Sequence, residues 1–135
     1  MKFIGMIFVA AMAAISISGQ PTNRTVAITI DDLPVVSTRS DLKNRQQITK
    51  KLIGHITKAK VPAIAFVNEN KLYAGDKRDE KQIDLLRMWL VAGLELGNHT
   101  FSHRSLNQIP IADYEADLMK GETITKELLG EKGRE

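Results

Sequence analysis

Short apolar runs interrupt the chain at three places, and each of them predicts a β-strand. The first, at residues 25–30, is β-branched and apolar almost throughout, which is typical of a strand buried on both faces of a parallel sheet. The second covers residues 61–67, with Pro62 near its start, where a strand tolerates proline. The third is shorter and covers residues 94–98. All three runs give way to polar residues.

Between and after these runs, apolar residues recur at helical spacing, with polar residues on the opposite face. The pattern predicts three helices, at residues 43–60, 79–92 and 111–129. Asp41 is placed to cap the first helix, Gly93 to end the second and Gly130 to end the third. The second helix is expected to turn Ile83, Leu86, Trp89 and Leu90 inward.

The predicted order is β-α-β-α-β-α, which favours a parallel sheet with right-handed crossovers, either open or closed into a barrel. In such folds, ligands bind at the carboxyl ends of the strands. Polar residues stand there in this chain: Asp31-Asp32 after the first strand, Asn68-Glu69 after the second and His99 after the third. We therefore expect a functional site at that edge of the sheet.

Composition narrows the kinds of site that are available. The 135 residues suffice for one domain, and the formal net charge is +3. No stripe of Lys and Arg with interleaved aromatic residues appears, so the sequence gives no reason to expect nucleic acid as a partner. The chain has no cysteine, which excludes disulfides and thiolate metal sites. Any metal must be held by His, Asp or Glu.

The amino-terminal segment reads as a targeting signal followed by a linker. Residues 1–19 combine a basic start, an apolar stretch and small residues near a cleavage point, which predicts a signal peptide. Residues 20–24 form a polar linker, and residues 25–135 form the domain. The apolar stretch is shorter than the roughly 20 residues that span a bilayer. We expect export to the periplasm or the extracellular space, with no stable membrane span after cleavage; a retained membrane anchor is the alternative.

Two histidines four residues apart form the first candidate for metal binding. On a helix, or on a tight turn leading into one, His99 and His103 would present both rings to the same side. An incidental pair is the alternative, because this spacing alone is a weak motif. The pair gains weight because it follows a strand and because a carboxylate pair follows another strand.

The adjacent aspartates complete the candidate site. Asp31 and Asp32 at a strand end cannot both ionise cheaply without a nearby cation; the alternative is that they only cap the next segment. We expect Asp32 to join His99 and His103 in binding one divalent metal, with positions left open for water and substrate. Such a metal lowers the pKa of water and polarises a carbonyl oxygen. Asp31 would act as general base, and the departing amine would need a general acid.

Other polar and aromatic residues have two interpretations each. Asn68 and Glu69 are candidates for lining a substrate groove or for forming a turn. Trp89 lies among apolar helix positions, which favours the core over a sugar-stacking platform. His55 lies in the middle of a predicted helix and is interpreted as a surface or boundary residue.

The two motifs together resemble those of the polysaccharide deacetylase family, also known as NodB-homology proteins or carbohydrate esterase family 4. The family's first motif is T-F-D-D, in which this chain has Ile30 in place of Phe. Its second is H-[ST]-x-x-H, which residues 99–103 match fully. The resemblance covers residues 25–129, with the expected β-α-β-α between the motifs.

This resemblance implies an α/β fold, the amino-terminal half of a deformed (β/α) barrel. It implies Zn²⁺, or another divalent metal such as Co²⁺ or Ni²⁺, held by Asp32, His99 and His103, with Asp31 as base. The reaction would be removal of N- or O-acetyl groups from a glycan such as chitooligosaccharide or peptidoglycan. The alternatives are a hydrolase of non-peptide C–N bonds in small amides, and a non-catalytic remnant that binds metal or glycan.

The same resemblance leads us to expect a truncated member. The family's later motifs supply an Arg-Pro-Pro segment, an Asp-Trp segment and a Leu-x-His whose histidine is the general acid, and the sequence contains none of them. Three β-α units cannot close a barrel, so an apolar sheet edge is expected to be exposed. The chain alone is expected to be poorly stable and weakly active or inactive.

Overall fold

The computed structural model describes residues 25–39 and 41–133. The predicted signal peptide and linker lie outside the described residues. In chain order, the helices and strands are β1 (Ile28–Leu33), α1 (Leu42–Lys58), β2 (Ala63–Val67), β3 (Tyr73–Ala74), β4 (Lys77–Arg78), α2 (Glu80–Val91), β5 (Glu95–Asn98), α3 (Ile111–Lys120) and α4 (Thr123–Gly130).

The main sheet has three parallel strands in the order β1-β2-β5. The three predicted strands and their parallel arrangement are therefore confirmed. The strands align their carboxyl ends, since Leu33 pairs with Val67 and Val67 pairs with Asn98. Between Ile30 and Leu33 the β1–β2 register shifts, and this irregularity contains both aspartates.

The expectation that β1 is buried on both faces is wrong. Within the described residues, β1 is an edge strand that pairs only with β2. Ile28 is 37% exposed, and Thr29 is exposed as well. An apolar strand thus borders solvent at one edge of the sheet, as expected for a sheet that does not close into a barrel.

The core lies between the sheet and helices α1, α2 and α4. Trp89 belongs to this core with 1% exposure, so its assignment to the core is confirmed. Ile83, Leu86 and Leu90 are buried beside it, as the helical pattern predicted. Each fully buried side chain of this size contributes roughly 1.5–3 kcal/mol of transfer free energy.

Local signals placed the ends of the first two helices correctly. Asp41 caps α1 by accepting a hydrogen bond from the Asn44 amide at 2.8 Å. Gly93 follows α2 with a φ of +78°, a conformation that glycine adopts without steric cost. His55 is exposed on α1, in agreement with its surface interpretation.

The single helix predicted over residues 111–129 is wrong, because the structure divides it into α3 and α4 at Gly121-Glu122. The break places Gly121 directly against the backbone of Thr100 and Phe101. Only a residue without a side chain fits there, so the loop that carries the histidines determines where the helix stops.

A small antiparallel hairpin of β3 and β4 was not predicted from the sequence. Arg78 on this hairpin donates to the Glu127 carboxylate at 2.9 Å, which attaches the hairpin to α4. Among the residues that the structure describes, no helix combines the length and the apolar character needed to cross a membrane.

Candidate metal centre

The sheet brings the aspartate and histidine segments to the same edge. Beyond the last strand pairs, the backbone hydrogen bonding continues into the loops. The His99 amide donates to the Val67 carbonyl at 3.0 Å, and the Asn68 amide donates to the Leu33 carbonyl at 3.2 Å. The carboxyl end of β2 therefore fixes the backbone next to Asp32 on one side and at His99 on the other.

Asp32, His99 and His103 converge at this edge. Each offers one oxygen or nitrogen atom, and these atoms all lie within 4.8 Å of one another. Asp32 Oδ1 is 3.9 Å from His103 Nε2. The two imidazole rings have centroids 4.8 Å apart and planes inclined at 68°. The three residues predicted to bind one metal are thus brought together.

The backbone reaches this geometry through left-handed conformations. Asp32, Thr100 and His103 have φ values of +68°, +64° and +57°. Such values are uncommon for residues other than glycine and cost free energy, which the surrounding structure must supply. At the histidines, the chain therefore forms a tight turn and not the helix considered from their spacing.

Hydrogen bonds within the turn hold this strained backbone. The Thr100 amide donates to Asn98 Oδ1 at 2.7 Å, and the His103 amide donates to Thr100 Oγ1 at 2.9 Å. Asn98 also donates through Nδ2 to the Leu118 carbonyl at 2.7 Å, which connects the turn to α3. The residues between the histidines thus act as local scaffolding.

Asp117 on α3 stabilises the same turn through hydrogen bonds. Its carboxylate accepts from both the hydroxyl and the amide of Ser102, the latter at 3.0 Å. Its backbone carbonyl accepts from the Phe101 amide at 3.0 Å. Burial by itself would raise the pKa of Asp117, but hydrogen bonds from Ser102 and Thr100, together with the charge of Arg104, lower that pKa below its ordinary 3.8. Sequence reasoning did not identify this residue.

Lys71 is a second contact that sequence reasoning missed. Its ammonium lies 3.0 Å from Asp32 Oδ1. The hydrogen bond from Lys71 is the main reason that the pKa of Asp32 lies below its ordinary 3.8, and partial burial opposes this effect. Asp32 is a carboxylate at neutral pH, as its ordinary pKa of 3.8 already implies, and this is the form that binds a cation.

Comparison with known proteins agrees with this arrangement. The sequence model of the polysaccharide deacetylase family matches residues 18–134. The chain belongs to the polysaccharide deacetylase family. The family resemblance drawn from the aspartate and histidine motifs is thereby confirmed.

A solved structure extends the likeness to the fold. The chain resembles the chitin deacetylase from the fungal pathogen Colletotrichum lindemuthianum, with a TM-score of 0.55 and 27% sequence identity. The match covers 76% of this chain and 39% of that chain, so this deacetylase-family chain spans well under half the length of its structural neighbour. The predicted fold, part of a barrel of this type, is confirmed. No curated protein matches the chain.

In this family member, Asp31 stands outside the cluster of three. It is exposed on β1 and lines a cavity of about 180 Å³ together with Pro34, Thr49 and Trp89. Its neighbour Asp32 turns towards the histidines at the register shift. The role of Asp31 as general base stays a prediction.

Asn68 and Glu69 are placed in the interior and not along a groove. Both are 0% exposed. The Glu69 carboxylate accepts from the amides of Ile124 at 3.0 Å and Thr125 at 2.6 Å. It therefore satisfies two backbone N–H groups in the first turn of α4 that have no acceptor within the helix. Asn68 donates to the His99 carbonyl. Both side chains are thus buried in this structure, and their contact with a substrate stays a prediction.

The donor set suits a divalent cation such as Zn²⁺. One carboxylate oxygen and two imidazole nitrogens form a ligand set that leaves coordination positions open, which is the pattern of catalytic rather than structural sites. The side chain of Asp32 is 37% exposed and that of His103 is 59% exposed, so water and a substrate can reach the cluster. The residues present therefore fit the metal that the family resemblance implies.

Proposed function

We propose that this protein is a metal-dependent hydrolase that removes acetyl groups from N-acetylated or O-acetylated glycans, such as chitooligosaccharide or peptidoglycan. The observation that carries the proposal is the convergence of Asp32, His99 and His103 within 4.8 Å at the carboxyl edge of a parallel sheet. Family membership and the likeness to a chitin deacetylase support an acetylated glycan as the substrate class.

The cation would be held by Asp32, His99 and His103. When bound, a divalent ion supplies Lewis acidity, which eases deprotonation of water and polarises an acyl oxygen. Zn²⁺ suits mixed nitrogen and oxygen ligands, and Co²⁺ or Ni²⁺ would be accommodated by the same donors.

Asp31 would act as the general base. Its carboxylate takes one proton from the attacking water, whose oxygen forms a bond to the acetyl carbon. The C–N bond then breaks, and the electron pair leaves with the glycan nitrogen. That nitrogen takes up one proton from solvent, and Asp31 releases to solvent the proton that it received. The products are a free amine and acetic acid, which ionises to acetate. Asp31 is exposed to solvent and adjoins Asp32 in the sequence, and both facts support this role.

We also propose that the protein is exported, to the periplasm or beyond the cell. The signal-peptide pattern over residues 1–19 supports this location. An acetylated cell-wall or environmental polymer would be encountered there.

Acetate release from chitooligosaccharide tests the activity. The full chain is stripped with a chelator and reloaded with Zn²⁺, Co²⁺ or Ni²⁺, and the expected result is a low but metal-dependent release of acetate. Asp31→Asn is expected to lower the rate at least 100-fold while zinc affinity changes little, because proton transfer by a positioned base contributes 10²–10⁴-fold. Asp76→Asn, which changes an exposed aspartate of the β3–β4 turn, is the matched control and should match wild type.

Two outcomes would contradict parts of this proposal. Zinc binding without acetate release from any acetylated glycan would indicate a metal- or glycan-binding protein. Release from small amides but not from glycans would indicate a different C–N hydrolase. Peptidoglycan and O-acetylated xylan, tested in parallel, define the substrate range.

A further inference from the structure

The Lys71 side chain reaches from the turn after β2 to the centre of the metal site. Its ammonium lies 3.0 Å from Asp32 Oδ1, 3.2 Å from the Asp32 carbonyl oxygen and 3.0 Å from Asn68 Oδ1. An ammonium has three hydrogens to donate, and these three acceptors match them in number. Each hydrogen of the ammonium therefore has an acceptor within the protein.

The oxygen that Lys71 contacts belongs to Asp32, one of the three residues of the metal centre. Asp32 Oδ1, which accepts from the ammonium, is also the oxygen that lies 3.9 Å from His103 Nε2. The positive charge of Lys71 thus already lies next to the carboxylate that a divalent ion would bind. The cation and the ammonium would share one negative charge.

Asn68 connects Lys71 to the backbone of His99 through hydrogen bonds. Its fully buried side chain accepts from Lys71 and donates to the His99 carbonyl. A continuous polar chain therefore runs from Asp32 through Lys71 and Asn68 to His99. These hydrogen bonds connect the β1 side of the centre to its β5 side.

We infer that Lys71 is the built-in counter-cation of the metal-free centre: it holds Asp32 in place and weakens divalent metal binding by competing for the Asp32 carboxylate. The inference rests on the proposed metal site. Asp32 is ionised at neutral pH even without Lys71, so the lysine brings no gain in available carboxylate. What it adds for an incoming ion is repulsion between like charges at short range. Screening moderates this repulsion, because the Lys71 side chain is 33% exposed.

Zinc titration by calorimetry on the full chain tests the inference. Lys71→Met and Lys71→Gln remove the charge, and both are expected to bind Zn²⁺ about tenfold more tightly than wild type. Lys71→Arg retains a charge and should stay within about twofold of wild type. Lys51→Met, on the exposed face of α1, is the matched control and should not change the affinity.

Thermal unfolding gives a readout that does not depend on activity. Without metal, Lys71→Met is expected to melt several degrees below wild type, because Asp32 loses its partner. With saturating Zn²⁺ this difference should shrink or reverse, since tighter binding adds more stability. Lys71→Gln keeps hydrogen-bonding capacity and serves if the Met variant does not fold.

The possible failures are distinct. If wild type binds zinc through Asp32, as shown by loss of binding in Asp32→Asn, but the neutral variants bind equally or more weakly, the Lys71 inference is overturned and the metal centre stands. If neither wild type nor any Lys71 variant binds zinc, the proposed metal centre is contradicted, and so is the inference about Lys71.

Discussion

Gly121 packs against Thr100 so closely that a Cβ atom at position 121 would overlap the Thr100 carbonyl carbon. The contact joins the break between α3 and α4 to the turn that carries His99 and His103. Because the obstructing atoms are backbone, no rotation of a side chain can relieve the overlap. One glycine therefore couples the path of the carboxyl-terminal helices to the geometry of the candidate metal centre.

Substituting Gly121→Ala is expected to displace the histidine turn or the helix break. The cost should be roughly 1–3 kcal/mol in the free energy of unfolding, the range for forced overpacking, and zinc affinity should fall as well. Gly130→Ala is the matched control, because nothing lies within 4 Å of a Cβ built at that glycine. Urea unfolding and zinc titration measure both effects. Equal stability of the two variants would show that the contact does not constrain the fold.

Asp117 is expected to act at a distance from the metal, by holding the turn through Ser102. Asp117→Asn removes one of the two carboxylate oxygens that accept from Ser102 and should cost roughly 1–2 kcal/mol in unfolding free energy, since hydrogen bonds to charged groups are worth about 1.5–3 kcal/mol. Asp113→Asn, an exposed aspartate on the same helix, is the control. In a double-mutant cycle with Ser102→Ala, the two losses should be less than additive. Additive losses would mean that the two residues do not interact.

The lowered pKa values of Asp32 and Asp117 predict how stability depends on acid. A carboxyl whose pKa is lower in the folded state than in the unfolded state stabilises the fold above its unfolded pKa, and this contribution is lost as the pH falls through the folded pKa. With an ordinary value of 3.8 for both groups, stability should decline below about pH 4. Urea unfolding at a series of pH values measures this decline. It should be shallower in Asp117→Asn, and an unchanged slope would contradict the assignment.

Substitution of Glu69 distinguishes a structural role in the interior from contact with a substrate. Glu69→Gln replaces one acceptor oxygen with an amide group that faces a backbone N–H donor of α4. The expected cost is roughly 1–3 kcal/mol, the penalty for a buried polar group left without a partner. Glu115→Gln, on the exposed surface of α3, is the control. A rise in KM with unchanged stability would instead restore Glu69 as a substrate contact.

Much of the fold could be predicted from the sequence because its signals are local. Apolar runs gave the three main strands, helical periodicity gave α1 and α2, and Asp41 and Gly93 marked helix ends within a residue or two. The triad was also predictable, since strand ends in a parallel sheet share one edge.

What could not be predicted depends on contacts between distant residues. The helix break at Gly121 arises from a loop about twenty positions earlier, and residues 111–129 taken alone are compatible with one helix. Lys71 and Asp117 look like ordinary surface charges until the fold brings them to Asp32 and Ser102. Glu69 follows a strand end, but only the position of α4 reveals which donors its carboxylate accepts from.

Anomalous diffraction at the zinc edge, from crystals of the chain soaked in Zn²⁺, tests the central claim most directly. The account predicts one strong peak bonded to a carboxylate oxygen of Asp32 and one ring nitrogen each of His99 and His103, at roughly 2.0–2.2 Å. The peak should vanish in His103→Ala and persist in His55→Ala, which changes the exposed histidine of α1. Absence of a peak at the triad, or a peak bound elsewhere with the three side chains unliganded, would contradict the metal centre and the hydrolase built on it.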